Sequence, residues 1–214
     1  MVVSESSARR YALDPDVRLM LEVREGSATA FEELVRRYQA RLVRVLEHLV
    51  HGREQADDLA QEVFLRVYRS RKQYAPGSKF ATWLFTIANN VASNALRDRW
   101  RRREVTLSPG ESGSMGAGPL DRLAQAGSGA IPARQIDKAE MREIVGLALE
   151  SLSERQRLAV LLNKFEGMSY ADIAETMQMS PQGIKSLLSR ARENLRQILE
   201  PYIEQGIHPQ KENG

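Results

Sequence analysis

The sequence predicts an all-α protein of two small helical domains joined by a flexible linker. Almost every apolar pattern in the 214 residues has the helical period, and strand-like alternation is nearly absent. Between 105 and 136 that periodicity stops, and the segment holds six of the chain's fourteen glycines and three of its eight prolines. Hydrophobic residues at 42% and charged residues at 28% supply two modest cores with ordinary polar surfaces.

Asp16 to Arg24 predicts a short opening helix with Val17, Met20 and Leu21 inward. After Ser27, an N-cap residue, Phe31, Leu34, Val35, Tyr38, Leu42, Val45, Leu46 and Leu49 trace a long amphipathic helix. Leu59, Val63, Phe64 and Val67 mark a third. Tyr74 to Ser78, with Pro76 and Gly77, is a loop. The next helix starts at Phe80 and places Trp83, Leu84, Ile87, Val91 and Ala95 on its apolar stripe. These elements make a first domain over 14–104. The segment 105–136 buries little and fixes little, as expected of a linker between two modules or of a disordered insertion.

Helices resume near Asp137, with Met141, Ile144, Leu147 and Ala148 on one face. Ser153 and Gln156 form a capping box ahead of Leu158, Leu161, Leu162 and Phe165, and Gly167 stops that helix. Ser169 and Asp172 open the next, with Ile173, Ala174 and Met177 inward. Ser180 and Pro181 pair an N-cap with an N1 proline. Ile184, Leu187, Leu188, Ala191, Leu195 and Ile198 then run to Pro201, which is expected to limit the last helix. The second domain covers 137–200, and 201–214 is a polar tail.

The chain has no cysteine, which excludes disulfides, thiolate zinc sites and cysteine catalysis. His48 and His51 are spaced for one helical face, with Glu47 and Glu54 near, but a zinc site would need better-defined ligands. No phosphate-binding glycine loop and no nucleophile–base signature is present. The expectation is a protein that is not an enzyme and carries no metal or cofactor. The N-terminus lacks a signal-peptide core, and no window approaches the ~20 apolar residues of a membrane span. The chain is therefore read as cytoplasmic, without membrane insertion.

Net charge is only +3, so clustering matters more than total. Arg97, Arg99, Arg101, Arg102 and Arg103 fall within seven residues, one turn beyond Asn90 and Asn94. Arginine neutralises phosphate and an amide hydrogen-bonds a base edge, so this helix end suits a nucleic acid; a solvated basic end is the plain alternative. Tyr170 to Arg190 has helix-turn-helix spacing. Ala174 allows close approach, Ile184 plugs the second helix into the first, and the turn runs from Met177 to Ser180. The second helix exposes Gln182, Lys185, Ser186, Ser189, Arg190 and Arg192, residue types that contact bases and phosphates. Gln178 stands where many such units place glycine, and a helical hairpin is the competing reading. Asp57, Asp58, Gln61 and Glu62 form an acidic group with i, i+4 pairs, either a solvated face or a docking surface for a basic partner.

Together these segments resemble the extracytoplasmic-function (ECF) sigma factors of bacterial RNA polymerase over about 14–103 and 137–198. DDLAQEVFLRVYRS resembles the family's core-polymerase-binding helix. FATWLFTIANNVASNALRDRWRRR resembles the segments that melt and read the −10 promoter element. SLSERQRLAVLLNKFEGMSYADIAETMQMSPQGIKSLLSRARENLR resembles region 4, which reads the −35 element.

The resemblance implies a promoter-selecting factor whose partners are core RNA polymerase, through the β′ clamp helices and β flap, promoter DNA, and an anti-sigma protein. It implies that Asp57, Asp58, Gln61 and Glu62 meet the clamp helices. Asn90 would hold a flipped −10 base near Tyr74 and the 75–79 loop with Lys79, while Asn94, Arg97 and Arg99 line the same strand. Lys185, Ser186, Ser189 and Arg190 would face the −35 duplex. Leu187 stands where many relatives carry a basic residue, which removes a phosphate or base contact. The competing function is a helix-turn-helix regulator that acts without polymerase.

Overall fold

The computed structural model of the chain describes residues 11, 13–50, 52–106 and 138–204. Among them every regular element is helical. The first group is α1 (Pro15–Arg24), α2 (Ala28–Val50), α3 (Arg53–Arg69), a 3-10 turn (Arg71–Gln73) and α4 (Phe80–Thr106). The second is α5 (Lys138–Glu150), α6 (Glu154–Lys164), α7 (Tyr170–Met177) and α8 (Pro181–Glu204).

Local signals start and stop these helices. The Asp14 carboxylate accepts from the Asp16 and Val17 N–H groups ahead of Pro15. The Ser27 hydroxyl accepts from the Ala30 N–H at 3.2 Å. Full capping boxes open α6 at Ser153 and Gln156 and α7 at Ser169 and Asp172. Gly167 turns the chain at φ 64° between α6 and α7. In the helix-turn-helix, Gln178 takes φ 53° and ψ 46°, the left-handed conformation that explains why glycine is common there.

Two boundaries differ from the sequence expectation. Helix α8 runs through Pro201 to Glu204. Proline removes one i→i−4 bond, but its fixed φ is helical, so the final turn continues. Helix α4 reaches Thr106. The rest of the expected linker, and the tail beyond 204, lie outside the described residues.

In the first group Leu34, Leu42 and Leu46 of α2 are fully buried, with Val63 of α3 and Leu84 of α4. The Tyr38 hydroxyl donates to Asp16 at 2.6 Å and ties α1 to α2, while its ring meets Phe80 edge-on at 5.1 Å. In the second group Leu161, Leu162, Ile173, Ile184 and Leu188 are the buried centre. Leu187 is buried too, 8% exposed, so it belongs to the packed side of α8 and not to its outer face.

On α4 the expected stripe is inward, with Phe80, Leu84 and Val91 buried and Trp83, Ile87 and Ala95 half-buried. The buried set is wider, however, and includes Thr82, Phe85, Ala88 and Ala92. Thr82 is covered because α7 lies against α4: its hydroxyl is 3.4 Å from an Asp172 oxygen. The two groups are not separate globules but share one continuous apolar core.

Candidate nucleic-acid and protein interfaces

Helix α3 presents the acidic group. Asp58 and Gln61 are exposed, while Asp57 and Glu62 are partly covered by ion pairs with Arg53 at 3.2 Å and Arg66 at 2.6 Å. Beside this edge, α2 and α3 leave an open groove of about 670 Å³. Phe31, Val35, Phe64, Leu65 and Tyr68 line it, with Glu32, Asp57 and Gln61 at the rim. Leu65 and Tyr68 are 49% and 42% exposed, unusual for large apolar side chains. The sequence reading found the acidic rim but missed the groove. Its signal was present: Leu65 and Tyr68 fall off the buried stripe of Ala60, Val63, Phe64 and Val67.

Helix α4 carries Asn90, Asn94, Arg97, Arg99 and Arg101 on exposed positions. Arg99 also donates to the Val50 carbonyl at 3.4 Å, capping the end of α2. Asn90 borders a surface hollow of about 410 Å³ with Ile87, and its other walls are Arg66, Arg69, Ser70 and Gln73. These four were not singled out by sequence; they sit at the far end of α3, and only the packing of α3 on α4 brings them to Asn90. Tyr74 is not at this opening. Its ring is 4% exposed, 4.9 Å from Trp83, and burial pushes its unpartnered hydroxyl well above the usual phenol range. Lys79 is half exposed and pairs with Asp172 at 3.5 Å.

On α8, Gln182, Lys185, Ser186, Ser189, Arg190 and Arg192 are all exposed, and Ile184, Leu187, Leu188 and Ala191 face inward. Arg192 donates to the Tyr170 hydroxyl at 2.6 Å, bracing the outer helix against the start of α7. The six side chains thus form one polar, basic face on a helix anchored through its opposite side.

Among the described residues no group of His, Cys, Asp and Glu is placed to hold a metal ion. His48 is half-buried, 6.4 Å from the Phe165 ring, and burial lowers its pKa; His51 lies outside the described residues. No described helix is long and apolar enough to cross a membrane.

Two family models match the chain: Sigma-70 region 2 over residues 34–102 and Sigma-70, region 4 over residues 142–195. Over 193 residues the chain is 34% identical to the RNA polymerase sigma-H factor of Pseudomonas aeruginosa, covering 89% of this chain and 96% of that one. It is 35% identical over 185 residues to the RNA polymerase sigma factor CarQ of Myxococcus xanthus, covering 84% and 95%. It is 32% identical over 191 residues to the ECF RNA polymerase sigma-E factor of Escherichia coli, covering 88% and 96%.

The fold is similar to CnrH, solved in complex with the cytosolic domain of CnrY, with a TM-score of 0.62 at 21% identity, covering 88% of this chain and 99% of that one. It is also similar to RpoE of Bartonella quintana, solved with the anti-sigma factor NepR, with a TM-score of 0.58 at 24% identity, covering 79% and 96%. Helices α2–α4 fall within the first matched region and α6–α8 within the second, apart from the ends of the outer helices. The chain therefore belongs to the ECF sigma factors, which bind core RNA polymerase, direct it to promoters through the −10 and −35 elements, and start transcription.

Proposed function

We propose that this sigma factor divides its work among the three surfaces described above. The α3 face, with Asp57 and Gln61 at the rim of the apolar groove and Asp58 and Glu62 beside them on the same helix, takes the β′ clamp helices. Asn90 holds a base flipped from the −10 element, while Asn94, Arg97, Arg99 and Lys79 follow the strand. Gln182, Lys185, Ser186, Ser189, Arg190 and Arg192 read the −35 duplex, with region 4 docked on the β flap. The protein performs no bond chemistry itself and acts in the cytoplasm, where core polymerase is found. An anti-sigma protein is a further partner, a reading supported by the fold neighbour solved with NepR.

The observation that carries the polymerase assignment is the acid-rimmed groove on α3 with Leu65 and Tyr68 left exposed. Exposed aromatic and aliphatic side chains ringed by charge are the usual anatomy of a protein interface. Asp58→Lys with Glu62→Lys should weaken core-polymerase binding at least tenfold in a fluorescence titration, with helicity unchanged. Asp58 is exposed, and Glu62 is covered only by its pair with Arg66 one turn along the same helix, so the loss reads contact and not folding. Normal polymerase affinity in the double variant would remove this face from the interface. The competing reading, a helix-turn-helix regulator acting alone, leaves this face without a use.

The −35 assignment has its own expected outcome. Alanine at a base-contacting position among 182, 185, 186, 189 and 190 should cost about 1–3 kcal/mol on the cognate duplex and much less on others. Alanine at a phosphate-contacting position, as expected of Arg190, should weaken all duplexes alike and lower the salt slope by about 1. Duplex titrations at several salt concentrations sort them. Unchanged binding across the set would retire α8 as the reading helix.

A further inference from the structure

The hollow beside Asn90 holds more recognition chemistry than one amide. Its walls are Arg66, Arg69, Ser70, Gln73, Ile87 and Asn90. Two of the polar walls are already committed: Arg66 pairs with Glu62 at 2.6 Å, and the Ser70 hydroxyl donates to the Arg66 carbonyl at 2.6 Å, back into its own helix. Asn90, Gln73 and Arg69 are exposed and have no partner among the described residues.

Gln73 is held in place although its side chain is free. It ends the 3-10 turn, and its N–H donates to the Ser70 carbonyl at 2.9 Å. The next residue is the buried Tyr74, whose ring lies 4.9 Å from Trp83 and whose carbonyl accepts from Arg24 at 3.4 Å. Arg71, which opens the turn, lies over the Tyr68 ring at 4.0 Å and donates to the Tyr68 carbonyl at 2.8 Å. The backbone of Gln73 is therefore anchored on both sides, and only its side chain has to settle when a ligand arrives.

A single amide specifies a base poorly. It carries a donor and an acceptor, and turning it over exchanges them. At the pairing edge, cytosine presents an amino donor beside a ring-nitrogen acceptor, and thymine a carbonyl acceptor beside an N–H donor. One freely turning amide satisfies either order. A second polar group on another wall narrows the choice, because one base in one orientation must then satisfy both.

We propose that Gln73 is a second reader of the flipped −10 base, sharing the hollow with Asn90 and setting which base is preferred there. Ile87 gives the base an apolar wall, and the unpaired Arg69 takes the adjoining phosphate. This rests on the assignment of the flipped base to Asn90.

The test uses holoenzyme assembled from the full chain and core polymerase. Promoter fragments selected by the wild-type holoenzyme from a pool randomised across both elements supply the template. It is pre-melted at the −10 element, and all four bases are placed in turn at each −10 position. Affinity ratios between bases are compared within one variant, so a folding defect, which weakens all four alike, leaves them unchanged. Asn90→Ala marks the flipped position as the one where its ratios collapse. Gln73→Ala should cut the ratio between best and worst base at that same position about tenfold and leave the other positions as they were. Gln73→Glu replaces a donor by an acceptor, so it should reorder the four bases there, the base that accepted from the Gln73 amide losing most. Arg69→Ala should weaken all four bases alike.

Unchanged ratios in both Gln73 variants, with Asn90→Ala still collapsing its own, would overturn the second reader and leave the Asn90 assignment standing. Changed ratios at a position other than that of Asn90 would overturn the shared base. If Asn90→Ala alters no position while the Gln73 variants alter one, the Asn90 assignment falls and Gln73 remains a reader; if none of them alters any, both fall.

Discussion

Arg157→Ala should destabilise region 4 by about 3–5 kcal/mol, a large share of what a small domain possesses. The side chain is 4% exposed, rare for arginine. Its guanidinium donates to the carbonyls of Leu149 at 2.9 Å, Glu150 at 2.6 Å and Leu152 at 3.1 Å, and across to His48 at 2.9 Å. These oxygens lie at or just beyond the C-terminal ends of α5 and α2, where backbone acceptors have run out of helical partners. A single cation thus closes two helix ends, and both macrodipoles favour it.

Burial lowers the Arg157 pKa, yet guanidinium starts so far above neutrality that the charge persists. Alanine would strand four acceptors, each costing about 1–3 kcal/mol where water cannot replace the donor. Lysine should recover only part of the loss, since one ammonium cannot fork between two helices. Urea unfolding of the full chain, followed by helicity, measures the effect. A loss below about 1 kcal/mol would mean that water satisfies these carbonyls and that the cage is incidental.

Arg157 also marks where sequence reasoning ran out. The helix starts at Ser153, Ser169 and Ser180 were legible because caps are local: three or four residues decide them. The outward face of α8 was legible for the same reason, since Ile184, Leu188 and Ala191 fix the phase and Lys185 and Arg190 follow. Nothing local says that Thr82 will be buried, or that Arg157 will enclose its charge. Both depend on segments that are distant in sequence meeting in space.

The Asn90 hollow shows the same divide. Asn90 was visible as an amide beside a basic block, but Arg66, Arg69, Ser70 and Gln73 enter only through the packing of α3 on α4. Tyr74 was assigned from resemblance rather than periodicity, and only the fold shows its ring buried against Trp83. Tyr74→Phe should accordingly be nearly silent, because the hydroxyl has no partner to lose.

Asn90→Ala should slow promoter opening by about 5- to 150-fold, the equivalent of about 1–3 kcal/mol for one specific base contact. A base cannot be read at its pairing edge inside a duplex, so it must leave the stack, at a cost of a few kcal/mol. Hydrogen bonds in the receiving hollow offset that cost only after flipping. Asn90 offers both a donor and an acceptor, and Arg66 and Arg69 stand across the hollow, where the adjoining phosphates need cations. Its backbone is held firmly, since Leu84, Ala88 and Val91 on the same helix are buried. Alanine therefore removes the contact without moving the helix.

Initial closed-complex binding, dominated by region 4 and polymerase, should change little. A template already melted at the −10 element should restore the rate of opening but not the preference for one base. Run-off transcription on intact and pre-melted templates, with each base at the flipped position, separates the two. If Asn90→Ala opens an intact promoter at the normal rate and keeps its base preference, the base is held elsewhere, and the hollow walled by Arg69 and Gln73 is only surface relief.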